Sequence, residues 1–137
     1  MGSHDDYGKQ VLRAAAGPAY TDWGVAVQVD YRAGKPARID GAVGSSVAVE
    51  VESRVSKQVR GALLDLICHP RSKKLLILLP VHMSDAEITA EQCRFILEKF
   101  VTPANFRVVV LQGTGDDPCF DTDVPTIKQA LGELGFT

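Results

Sequence analysis

The sequence predicts an α/β fold built on a mixed sheet, and three observations carry that expectation. Alternating segments in the first third read as strands of an antiparallel meander. An apolar stripe of helical period, Val55–Cys68, stands between the alternating strand Ser46–Glu52 and the apolar run Leu75–Leu79, which makes a strand–helix–strand crossover. A further helix–strand–helix completes the chain. The predicted order, α, β, β, β, α, β, α, β, α, is an αβββαβ core plus that addition, in one domain over residues 1–137 with helices on both faces.

Met1–Gly2–Ser3–His4 reads as a cloning remnant and carries no weight. Asp5–Ala16 is predicted helical, with Tyr7, Val11 and Leu12 on one side, and Gly17–Pro18 ends it. Trp23–Tyr31 alternates through Val25, Val27 and Val29 and is predicted as a strand, paired through the turn Arg32–Pro36 with Ala37–Gly41. In Ser46–Glu52 the valines 47, 49 and 51 take one face; Ala48, Glu50 and Glu52 take the other. If Ala42 faces Ser46 around a three-residue loop, Asp40 joins that second face, opposite Ala48 and diagonal to Glu50, at about 7–8 Å between β-carbons.

The helix Val55–Cys68 is expected to bury Val55, Val59, Ala62, Leu63, Leu66 and Ile67. Leu75–Leu79 has the unbroken apolarity of a parallel strand covered on both sides. Ser84, with Glu87 three residues on, forms a capping box for a helix to about Val101, apolar at Ile88, Phe95, Ile96 and Phe100. Phe106–Leu111 is another buried strand, Gln112–Asp123 a loop, and Asp123 the N-cap of a last helix to Leu134.

Composition narrows the function. Hydrophobic residues make up 45% and charged residues 23%, the balance of a globular domain. No run approaches the roughly 18 apolar residues of a membrane span, and no secretory leader opens the chain, so no membrane partner and a cytoplasmic location are expected. The three cysteines form no Cys-x-x-Cys pair, which argues against a disulfide framework or a zinc site. Cys68 and Cys93 are expected to be packed thiols. His69 and His82 are expected at caps or on the surface, and Gly113–Thr114–Gly115 lacks the ending of a phosphate loop. The net charge of −2 does not by itself signal a nucleic-acid binder, yet charge is segregated. Arg54, Lys57, Arg60, Arg71, Lys73 and Lys74 follow the carboxylate strand with Asp65 as the lone acid among them.

Carboxylates on a covered strand need partners. Asp40, Glu50 and Glu52 on one face suit Mg²⁺ or Mn²⁺, which favour carboxylate oxygens. Arg54, Lys57 and Arg60, beside the start of the following helix, suit the oxygens of a phosphodiester.

Asp40 on one strand of a hairpin, Glu50–Val51–Glu52 ending the next, then a helix and a buried strand, resembles the restriction-endonuclease-like superfamily of PD-(D/E)xK nucleases. The resemblance is one of motif and topology over roughly Trp23–Pro80. It implies that Asp40 and Glu50 ligate Mg²⁺ and help position an attacking water. Glu52 stands where the motif has Lys, and Ile39 where it has Pro. Some members carry Glu there, in others the Lys migrates to the following helix, where Lys57 stands, and inactive members only bind or scaffold.

The leading expectation is therefore a metal-dependent nuclease-like protein acting on DNA phosphodiesters. Asp40 and Glu50 would hold the metal, Glu52 would orient water or a second ion, and Arg54, Lys57 and Arg60 would contact nucleic acid. The small size calls for a homodimer or a protein partner. Two other readings stand beside it. One is a catalytically inactive interaction module of the same fold, its acids paired with Arg38, Arg54 or Lys57. The other is a small-molecule-binding α/β domain with its site at the strand ends near His82 and Gln112.

Overall fold

A computed structural model describes residues 3–136. The helices are α1 (Ser3–Ala16), α2 (Ser56–Cys68), α3 (Ala86–Leu97) and α4 (Phe120–Glu133). The strands are β1 (Tyr20–Thr21), β2 (Gln28–Val29), β3 (Ala37–Arg38), β4 (Gly41–Val43), β5 (Val47–Glu52), β6 (Lys73–Leu78) and β7 (Phe106–Val110). Five of them form the main sheet in the order β1-β4-β5-β6-β7, antiparallel as far as β5 and parallel beyond it. The expected mixed α/β architecture is present. Val47, Val49, Val51, Leu75 and Ile77 pack under α1 and α4, while Ala48, Leu76, Leu78 and Val108 pack under α2 and α3. The apolar run of β6 is buried on both faces, as a doubly covered strand requires.

The expected long strand Trp23–Tyr31 does not form. Gly24, at φ 76°, breaks the extended chain, Val25–Val27 makes a 3-10 turn, and only Gln28–Val29 is strand. That short strand pairs with β3 as a separate two-stranded hairpin, and β1 takes the place beside β4. Val27 and Val29 still reach the core, whereas Val25 is 84% exposed. His69 is the C-cap of α2, one of its two expected places, and is not at the surface. It is buried, its Nε2 lies 2.8 Å from the Ala26 carbonyl, and its Nδ1 accepts the Arg71 N–H, so it ties the hairpin to the body.

The β4–β5 turn decides what faces what. Val43 pairs with Val47 around Gly44–Ser45–Ser46, and Gly44, at φ 57°, supplies the left-handed residue this turn needs. Gly41 faces Val49. The register differs from the expected Ala42–Ser46 pairing but keeps the same parity, so Asp40 stays on the Glu50 face and comes directly opposite it.

Corrections in the second half come from small shifts. Asp85, not Ser84, caps α3, its carboxylate accepting the Glu87 and Ile88 N–H groups at 3.1 Å each. The helix turns Thr89, Ala90, Cys93 and Leu97 inward and leaves Ile88, Phe95 and Phe100 exposed. Cys68 is exposed rather than packed; Cys93 is buried as expected. Asp123 is not an N-cap but lies within α4, wholly buried. It accepts the Gln112 N–H at 2.7 Å, the Gly113 N–H at 2.8 Å and the Tyr7 hydroxyl at 2.6 Å.

Candidate functional site

Successive β5 side chains alternate, so the valines go to the α1/α4 layer and Glu50 and Glu52 go to the α2 side, where they are 6% and 3% exposed. They are buried under a cavity of about 370 Å³ rather than in packed apolar core. The helix over them contributes Gly61, Ala62, Leu64 and Asp65 to its lining. Five carboxyl groups (Asp5, Asp40, Glu50, Glu52, Asp65) and two guanidinium groups (Arg38, Arg54) share this lining.

Asp40 and Glu50 interlock across the antiparallel pair. The Asp40 N–H donates to Glu50 Oε1 at 2.9 Å, and the Val51 N–H donates to Asp40 Oδ2 at 2.7 Å. The two carboxyl groups therefore face each other across the pair. Burial, and then the charge of Asp40, push the Glu50 carboxyl up to about 10. Asp40 Oδ1 lies 3.5 Å from Lys9 Nζ of α1. Among the described residues no lysine or arginine stands within ion-pair distance of Glu50.

Glu52 is held differently. Its Oε2 accepts the Arg54 N–H at 2.9 Å and Nε at 2.8 Å, and its Oε1 accepts Nη2 at 2.7 Å, a two-pronged clamp. Burial alone would push this carboxyl up; the guanidinium overrides burial and holds it below the usual carboxylate range. Arg54→Ala leaves a buried carboxylate without its partner. Because the guanidinium is 62% exposed, the expected loss is about 1–2 kcal/mol rather than the full cost of breaking a buried pair. The lowered carboxyl contributes stability above its ordinary value of 4.5 and loses it as pH falls through the lowered one. Urea denaturation of wild type and variant should therefore show a clear gap at neutral pH that narrows in acid.

Asp40 and Glu50 are thus brought together, and Glu52 shares their cavity with its oxygens already engaged. Among the described residues no group of three or more His, Cys, Asp or Glu is arranged to hold a metal ion, so the expected convergence of three acids reduces to a pair. Lys57 is exposed and does not line the cavity; α2 turns it outward from the strand. Arg60 is also exposed and lies toward α3, beside Phe95 and Ile96. His82 lines a separate shallow recess with Arg54, Val55 and Gln58.

Sequence reasoning missed the contribution of α1. Asp5 lines the cavity and accepts the Ser53 hydroxyl at 2.7 Å, and Lys9, one turn on, reaches Asp40. Between them Gly8 lets the helix approach β5: a β-carbon there would lie 2.5 Å from Val51 Cγ1. The spacing of Asp5 and Lys9 marks one helix face; only packing shows that this face meets the carboxylate strand.

No protein-family model matches the chain, and no curated protein matches it either. No helix among the described residues is long and apolar enough to cross a membrane.

Proposed function

We propose that Asp40 and Glu50 hold a divalent cation, Mg²⁺ or Mn²⁺, and that the protein is a metal-dependent nuclease acting on DNA phosphodiesters. The observation that carries this reading is the facing pair: two carboxyl groups meet at an open cavity, and among the described residues the more buried one, Glu50, has no lysine or arginine within ion-pair distance. Hard carboxylate oxygens at a water-accessible cavity are the donor set such ions take. When bound, the cation supplies positive charge for phosphoryl oxygens and activates water. Lys9 balances Asp40 from the α1 side, and Glu52 fixes the exposed guanidinium of Arg54 at the cavity mouth, where it can meet a phosphate. Lys57 and Arg60 lie outside the cavity and are left to contacts farther along a bound strand.

The Glu52–Arg54 clamp favours a second reading, an inactive interaction module of the same fold in which the acids serve as an ion network. One experiment separates the two. Plasmid nicking in Mn²⁺, reduced on the order of 100-fold by Glu50→Gln, supports the nuclease. An absence of cleavage on DNA or RNA, with a melting temperature unmoved by Mn²⁺, leaves the module.

A further inference from the structure

We infer that the β2–β3 hairpin and the loop before it form a grip for single-stranded DNA, with Trp23 stacking on an unpaired base and Arg32, Lys35 and Arg38 meeting phosphates. This inference rests on the nuclease reading and names its substrate class.

Trp23 is the only tryptophan in the chain and is 73% exposed, so it does no work in the core. Yet the loop that carries it is fastened. The Asp22 carboxylate accepts from Arg13 Nη2 at 3.3 Å, the Asp22 carbonyl accepts from Arg38 Nη2 at 3.0 Å, and the Gly24 carbonyl accepts the Val27 N–H. A large aromatic side chain on a fixed loop, with its surface left to water, is a preorganised stacking platform.

The hairpin is joined to the carboxylate cavity at two points. Arg38 lines that cavity, and the Tyr31 hydroxyl donates at 2.6 Å to Asp65, which also lines it. Arg32, Lys35 and Arg38 are all exposed. The nearby acids are engaged, Asp30 by the Arg32 N–H and Asp22 by Arg13. Arg38, fastened to the loop that carries the exposed ring, and the exposed Arg32 and Lys35 farther along the same hairpin suit a phosphate chain with free bases. In a duplex the bases are stacked on one another, and the ring can reach none except at an end.

The test uses the full chain without divalent cation, so that no cleavage intervenes. Oligodeoxythymidylate of about 12 nucleotides should quench the emission of Trp23 saturably, and a duplex of the same length should not. By anisotropy of a labelled strand, Trp23→Ala should bind about ten-fold more weakly and Trp23→Phe within a few-fold of wild type. Arg38→Gln should lower the slope of log affinity against log salt by about 0.7. Strand binding that leaves Trp23 emission and the Trp23→Ala affinity unchanged overturns the grip, as does equal quenching by duplex or no strand binding at all. The nuclease reading is tested apart from this. Glu50→Gln should keep the quenching while losing cleavage, and a chain that quenches but never cleaves in Mn²⁺ retains the grip and loses the enzyme.

Discussion

Glu50→Gln is expected to raise stability at neutral and alkaline pH and to flatten its pH dependence. In the folded chain the Glu50 carboxyl is pushed up to about 10, against 4.5 for an ordinary glutamate. A raised acid binds its proton in the folded state where the unfolded chain has released it. Its favourable contribution is complete below 4.5 and is lost progressively as pH rises toward 10. The slope reaches at most about 1.4 kcal/mol per pH unit and belongs to the Asp40–Glu50 pair rather than to either residue. Glutamine keeps the shape, accepts the Asp40 N–H through its carbonyl, and offers an amide N–H to the Asp40 carboxylate, without the proton to lose. Melting temperatures measured between about pH 5 and pH 9 should fall for wild type and stay nearly level for the variant. Parallel curves, or a variant less stable than wild type at about pH 8, would show that Glu50 is charged in the fold.

Asp123→Ala should be the most destabilising single change named here. The carboxylate is wholly buried and accepts from three donors in two segments: Tyr7 of α1 and the Gln112 and Gly113 amides after β7. Removing it orphans all three, at about 1–3 kcal/mol each before any relaxation. With partial rescue by water the loss should be about 3–5 kcal/mol, a large share of the roughly 5–15 kcal/mol that a domain has. The melting temperature should drop by more than about 10 °C. Amide exchange at Gln112 and Gly113 should accelerate more than at β6. Asp123→Asn keeps an acceptor and should fall between. A loss below about 1 kcal/mol for the alanine variant would mean that the loop is anchored elsewhere.

The two carboxyl sites differ in how far they could be read in advance. The alternation of Ser46–Glu52 was enough to set Glu50 and Glu52 on one face, because the strand period is two regardless of surroundings. Asp40 joined that face only on condition of even parity across the turn; the Val43–Val47 register meets the condition and makes the pairing closer than expected. Asp123 could not be read in this way. Its place before an apolar helical stripe looks like a cap, and only the fold brings the β7 loop and Tyr7 onto it. The same limit applied to Trp23–Tyr31, where alternating valines promised a strand and Gly24 at positive φ turned the chain aside.

Local periodicity therefore determined the layered α/β plan, the doubly covered β6, the α2 crossover and the shared face of Glu50 and Glu52. Those features follow from backbone geometry and from the need to bury apolar side chains, which short windows of sequence carry. The tertiary structure alone decided that Lys9 and Asp5 come in from α1, that Lys57 faces away, and that burial pushes the Glu50 carboxyl up. Charge partners and desolvation depend on which elements meet in space, and no window of neighbouring residues contains that information.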